Sequence, residues 1–297
     1  MPLLIPDNFP ALGLLENDKL VLPEIKKEEV QVRIAILNLM PMKISAEADY
    51  IRLLANSPLN VEIKWMKLRS HISKNASKEH MDKYYEYFDV LKNEHFDGLI
   101  VTGAPLEHLD FSVVDYWQEL TEVFYWAHEH VNSTLYICWA AQAAMFHFYQ
   151  VPKYLLPKKM FGVFPHHLLV KGLPIFQGFD DEFFVPHSRH AEVRREDILK
   201  ANGLELLAES EYSGVYMAMS GEGKEIYVTG HSEYEPYRLD TEYKRDIRKG
   251  LPIEMPMHYY RDDDPKNEPV VRWRAHSSLL FSNWLNYYVY QHVHLHS

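Results

Sequence analysis

Cys138, the only cysteine in the chain, closes the apolar run Leu135-Tyr136-Ile137 and is followed at once by Trp-Ala-Ala-Gln-Ala-Ala-Met, a helix-forming stretch. A thiol at a strand–turn–helix elbow is lifted above the edge of a sheet, and the partial positive charge of a helix N-terminus favours its thiolate. The next residue, Trp139, would offer its backbone N–H to a developing oxyanion. The thiol alone leaves two readings open, nucleophile or buried filler, because free cysteine is among the most commonly buried residue types. A nucleophile needs a base. With 17 histidines in the chain no single one is informative, but "IYVTGHSEY" is different. There a strand ends at Gly230, and His231 and Glu233 follow it. On a strand beside that of Cys138, His231 would accept the thiol proton and Glu233 would hold the imidazole in the matching tautomer.

The elements needed to position these residues are legible in the pattern. Residues 30–40 read as a buried strand, 45–57 as a helix with Ser45 placed to cap it, and 59–68 as an alternating strand. A helix is expected over 77–95, a strand over 96–104 ended by Gly103, and a long amphipathic helix over 112–131 before the cysteine segment. This β-α alternation implies an α/β fold with a parallel sheet covered on both faces. In such sheets ligands gather at the carboxyl ends of the strands. The second half reads as short strands over 162–170, 181–190, 204–210, 214–220 and 224–234. A helix follows over 239–249, then a proline-rich acidic loop over 252–269 and a last apolar helix over 277–291. Residues 1–29 read as a proline-rich N-terminal arm, and 30–297 as a single α/β domain.

Composition narrows the function classes. The net charge of −11, with no basic block, argues against nucleic acid and against anionic membranes as partners. No apolar run approaches the roughly 20 residues of a membrane span. The N-terminus lacks a basic leader before an apolar core, so no signal peptide is expected. A lone cysteine forms no internal disulfide, which suits a reducing cytoplasm. "RDDDP" (261–265) and the C-terminal "HVHLH" read as an acidic loop and a tail rather than as ligands, and no metal is expected.

The motifs "RIAILNLMPMK", "LLANSPLNVEI", "FDGLIVTGAPLE", "STLYICWAAQAA", "GVFPHH", "FVPHSRHAE", "VTGHSEY" and "LLFSNWLNYYVYQ" span residues 33 to 291. Through them the chain resembles the homoserine O-acyltransferase family of methionine biosynthesis. The resemblance implies a three-layer, doubly wound, mostly parallel sheet of the class I glutamine amidotransferase-like (flavodoxin-like) kind. It implies that Cys138 is the acyl-thioester nucleophile, His231 the proton acceptor and Glu233 its partner. It also places Lys159, Ser188 and Arg245 against the substrate, where an arginine would hold the homoserine carboxylate through two parallel hydrogen bonds. Glu107 falls where the family's acyl donor is chosen. Glutamate there goes with acetyl-CoA, since it repels the carboxylate of a succinyl group and fills its space. The implied co-substrate is acetyl-CoA, with no cofactor, and the implied assembly is a homodimer. Two departures matter. Tyr136 and Ala140 stand where amidotransferases of this fold carry glycines flanking the cysteine, which argues against glutamine hydrolysis. Met42 replaces one of two lysines that relatives often have in "MPMK", which puts any role of that turn in holding an acyl-CoA carboxylate aside. The alternatives are succinyl-CoA as donor, serine as acceptor, or an amidotransferase-type hydrolase.

Overall fold

The structure, a computed structural model, describes residues 3–16, 23, 25–73 and 75–291. In chain order it contains β1 (Leu3–Leu4), α1 (Leu12–Leu15), β2 (Val32–Leu37), α2 (Lys43–Leu54), β3 (Val61–Lys67), α3 (Lys78–Tyr84), β4 (Tyr85–Tyr87), α4 (Phe88–Leu91), β5 (Gly98–Val101), α5 (Trp117–His130), β6 (Ser133–Ile137) and α6 (Trp139–Tyr149). There follow β7 (Tyr154–Leu168), β8 (Glu182–Glu192), α7 (Arg195–Lys200), β9 (Leu204–Ser210), β10 (Gly214–Ser220), β11 (Glu225–Val228), α8 (Arg238–Arg248) and α9 (Arg274–Asn283). One sheet joins them in the order β1-β3-β2-β5-β6-β11-β10-β9-β7-β8. From β1 to β11 neighbours run parallel; from β11 through β10, β9 and β7 to β8 they run antiparallel. The central order β3-β2-β5-β6-β11 is that of a flavodoxin-like sheet.

Successive strand residues point to opposite faces, and both faces are apolar. Ile34, Ile36, Ile100, Leu135, Ile137, Ile226 and Val228 face a core shared with Tyr50 and Ile51 of α2 and Phe281 of α9. Ala35, Leu37, Leu99, Val101, Tyr136 and Tyr227 face the opposite core, with Leu120 and Phe124 of α5 and the alanines of α6. Ala140, Ala141, Ala143 and Ala144 are fully buried, so α6 lies close against the sheet that carries its leading residue, Cys138. The last apolar helix is core as well: α9 continues as a π-helical turn, Trp284–Tyr290, with Trp284, Leu285 and Val289 buried. Gly98 makes that packing possible, since a Cβ there would sit 3.1 Å from the Trp284 ring and 2.6 Å from Ile34 Cδ1.

Three local expectations are corrected. The segment 77–95 is not one helix. Ser77 caps α3 by accepting from the His80 N–H, but the chain leaves helix at Tyr85. The Tyr85 hydroxyl donates to Glu47 Oε1 at 2.6 Å and accepts from Asn38 Nδ2 at 2.8 Å, and β4 pairs with the outer edge of β3. Buried hydrogen bonds outweigh local helix propensity there. Next, Ser45 does not cap α2, which begins at Lys43 with Met42 as its N-cap residue. Finally, the strand expected over 162–170 is the second half of β7, which starts at Tyr154 and carries Lys159. The described part of the N-terminal arm lies on the sheet: Leu3 and Leu4 pair with Val61 and Glu62, and Phe9 stacks on Trp65 at 5.6 Å. Among the described residues no helix is long and apolar enough to cross a membrane.

Candidate active site

Cys138 sits between β6 and α6 with φ 52° and ψ −114°, a left-sided conformation that non-glycine residues rarely hold. Its N–H donates to Val228 O at 2.7 Å, which ties the elbow to the end of β11. Three residues beyond Val228, the His231 N–H donates to Pro186 O of β8 at 2.8 Å. Two anchored turns therefore open side by side at the carboxyl edge of the sheet. Gly103, at the end of β5, faces both: a Cβ there would lie 3.2 Å from Cys138 Cβ and 3.5 Å from His231 Cε1.

The His231 ring meets Cys138 beside Gly103 and is hydrogen-bonded through Nδ1 to Glu233 Oε1 at 2.6 Å. Tyr234 stacks on the ring at 4.1 Å, 14° from parallel. All three members are nearly closed to solvent, at 3%, 3% and 5% exposed. Burial alone would lower the His231 pKa. The charges of Cys138 and Glu233, with their hydrogen bonds, outweigh it and hold the imidazole well above its ordinary value. Glu233 Oε2 has no partner, and a cavity of about 260 Å³ lined by Arg52, Tyr234, Trp273 and Ser277 lies beside it. Trp139, the first residue of α6, is fully buried against Phe111 and Tyr116. Its backbone N–H is one of the helix-start donors without an intrahelical acceptor.

Lys159 of β7 and Ser188 of β8 meet on a residue that sequence reasoning missed. Glu242 of α8 accepts from Lys159 Nζ at 3.0 Å and from Ser188 Oγ at 2.5 Å through Oε2, and from the Tyr234 hydroxyl at 3.2 Å through Oε1. Burial would raise the Glu242 pKa, but the Lys159 charge and these hydrogen bonds hold it below the ordinary carboxylate value. Arg245 lies three residues further along α8, on the same face. It is not joined to this cluster directly. Its Nε and Nη2 donate to Asp246 at 2.6 and 3.0 Å, and the side chain is 47% exposed. The i, i+3 spacing from Arg245 was the signal that could have found Glu242.

Glu107 follows β5 and is 6% exposed, not a free loop residue. Its carbonyl accepts from Lys153 Nζ at 2.6 Å. His190, whose ring lies 4.7 Å from that of His108, feels the charges of both Glu107 and Lys159. In the "MPMK" turn Met42 is 56% exposed, whereas Lys43 is buried and donates to Asn38 O at 2.5 Å. Burial pushes the Lys43 pKa down to about 8.

No described group of three or more His, Cys, Asp and Glu side chains is placed to hold a metal ion. "RDDDP" forms an exposed turn, and "HVHLH" lies outside the described residues. A groove of about 590 Å³ lined by Leu204, Met219 and Tyr288 lies where β9 begins and β10 ends, and contains none of the residues above.

Comparison with known proteins bears on the fold and on the family. Two solved structures share the fold: a glutamine amidotransferase from Thermotoga maritima (TM-score 0.50, 13% identity, 86% of this chain and 97% of that one) and one from Methylobacillus flagellatus (TM-score 0.52, 11% identity, 86% and 94%). Proteins named homoserine O-acetyltransferase are similar over 295 residues: 60% identical in Phocaeicola vulgatus (98% of this chain, 97% of the relative), and 54% in Desulfitobacterium hafniense (98% and 96%). A family model described as homoserine O-succinyltransferase matches residues 2–295. With that match over nearly its whole length, the chain belongs to the homoserine O-succinyltransferase family.

Proposed function

We propose that the protein is a homoserine O-acetyltransferase of methionine biosynthesis that carries the acetyl group on Cys138. The juxtaposition of Cys138 with His231, itself hydrogen-bonded to Glu233, at the carboxyl edge of the sheet carries this reading. The Cys138 thiolate attacks the thioester carbonyl of acetyl-CoA, and the Trp139 N–H stabilises the oxyanion. The intermediate collapses with loss of the CoA thiolate, which takes its proton from the His231 imidazolium. Thioester is exchanged for thioester, so little free energy is lost.

Acylation then changes His231 itself. The largest charge holding its proton is that of Cys138, and the acyl-cysteine is neutral. The same imidazole therefore falls in basicity from an acid to a group free to act as a base. It takes the proton of the homoserine hydroxyl as that oxygen attacks the acyl carbonyl. Collapse expels the Cys138 thiolate and releases O-acetylhomoserine. Glu233 keeps the Nδ1 proton in place through both half-reactions.

The acceptor is a zwitterion. Glu242 is suited to its ammonium group, with Lys159 and Ser188 yielding their hydrogen bonds, and Arg245 is suited to its carboxylate once it leaves Asp246. Glu107 supports acetyl over succinyl. A buried carboxylate repels a second one and occupies its space. The names of the relatives support the same donor. A grid of acetyl-CoA and succinyl-CoA against homoserine and serine tests the reading: fastest turnover is expected for acetyl-CoA with homoserine, and a succinyl preference would refute the donor assignment. Glu107→Gly is expected to move the donor ratio toward succinyl-CoA, and an unchanged ratio would remove that residue from the account.

A further inference from the structure

Arg189 is the one arginine in the largest fully buried group of side chains, at 1% exposure. It projects inward from β8 between Ser188 and His190. Its Nε donates to His187 Nδ1 at 3.3 Å, Nη1 to Ala191 O at 2.7 Å, and Nη2 to Ser213 O. None of these acceptors is a carboxylate. A buried cation held only by neutral groups is costly, so its retention asks for an anion nearby. Ala191 O also accepts from Gln142 Nε2 at 3.1 Å, and the Gln142 N–H bonds back to Cys138 O at 3.2 Å. The guanidinium is thus fastened to the first turn of the helix that Cys138 opens. Burial lowers the Arg189 pKa; among the charges that oppose this, Cys138 is the largest, ahead of Glu192 and Glu107.

We propose that Arg189 is a positioning residue whose fixed charge stabilises the Cys138 thiolate and the oxyanion formed on the acyl group, acting through the field rather than by contact. The inference rests on the reading of Cys138 as nucleophile. His231 gains and loses its proton in every cycle, and Lys159 is paired with Glu242. A guanidinium stays charged throughout. Besides Arg189, the titratable groups that feel the thiol's charge are His231 beyond β11, with Glu233 behind it, Tyr50 on α2, and Tyr234, which stacks on the His231 ring.

The lone cysteine makes the test direct, because alkylation by iodoacetamide reads one site. The rate is measured against pH for the full-length protein, Arg189→Lys and Arg189→Gln, with circular dichroism to confirm folding. In Arg189→Gln the alkylation rate at neutral pH is expected to fall about tenfold, with Arg189→Lys close to the parent. Equal falls in both variants, or none in either, would overturn the proposal, since lost hydrogen bonds alone affect both. If Arg189→Gln does not fold, His231→Asn carries the test. With Arg189 present its thiol is expected to alkylate faster at neutral pH than free cysteine, and a rate no faster than that would overturn the proposal. A parent protein that itself alkylates like a free cysteine would instead sink the nucleophile reading, so the two failures are distinguishable.

Discussion

His231 and the His166–His187 pair are all buried, at 3%, 1% and 0% exposure, yet their surroundings push their pKa values in opposite directions. Burial favours the neutral form in all three. At His231 the anions of Cys138 and Glu233 overrule it and the proton is kept. At His187 the Arg189 charge adds to burial and the pKa falls well below its ordinary value; at His166 it falls from 6.5 to about 3. The hydrogen bonds agree with two neutral rings. His166 donates from Nδ1 to Phe164 O at 2.9 Å, which leaves its Nε2 as an acceptor. His187 accepts from Arg189 at Nδ1 and so donates from Nε2 to His166 Nε2, 3.1 Å away. Depth in the fold does not decide whether a histidine does acid–base chemistry. The sign of its neighbours does.

The largest change to this contrast is Cys138→Ala, which removes the anion that most supports the His231 proton. Both half-reactions should be lost, with turnover down by about 10⁴-fold or more. The His231 signal in an NMR titration should move toward lower pH. Near-normal turnover in this variant would sink the covalent route. Glu233→Gln comes next. It leaves the ring in place with a neutral partner that can present the wrong tautomer, and kcat should fall by about 10²–10⁴-fold with a smaller change in KM for homoserine. A loss confined to KM would contradict the role given to Glu233.

The smallest effect concerns the neutral pair. His166 has a folded value of about 3 against 6.5 for the unfolded chain, so the unfolded state binds the proton first on acidification. Its contribution to stability is complete above pH 6.5 and is lost as pH falls toward 3. The slope is about 1.4 kcal/mol per pH unit for each such group. His166→Gln should flatten the acid limb of a urea-unfolding series by roughly that amount while activity at neutral pH changes little. An unaltered acid limb would show that the ring is not held neutral.

The parallel half of the molecule was the more legible half. β6 and β11 end in turns whose chemistry is written in sequence, since an apolar run followed by Cys138 or by Gly230-His231 tells both the element and the edge on which the side chain emerges. In the antiparallel half the strands over 204–210 and 214–220 were legible to the residue, but the side-chain meetings were not. "FVPHSRHAE" shows the residues of β8 but nothing in its pattern says that Arg189 points inward, or that Ser188 meets Glu242 across 54 positions of sequence. Nothing local in the pattern sets Lys159 and Arg245 apart from surface cations, and Arg245 is half exposed in the structure. The strand β4 was hidden because Tyr85 takes its conformation from Asn38 and Glu47, partners far away in sequence.

The acyl-enzyme is the center of the account and is directly observable. Intact-protein mass spectrometry after mixing with acetyl-CoA, with homoserine left out, should show one added acetyl group, mapped to the Cys138 peptide and discharged when homoserine is added. A protein that turns over acetyl-CoA and homoserine without ever carrying the acetyl group on Cys138 would contradict it.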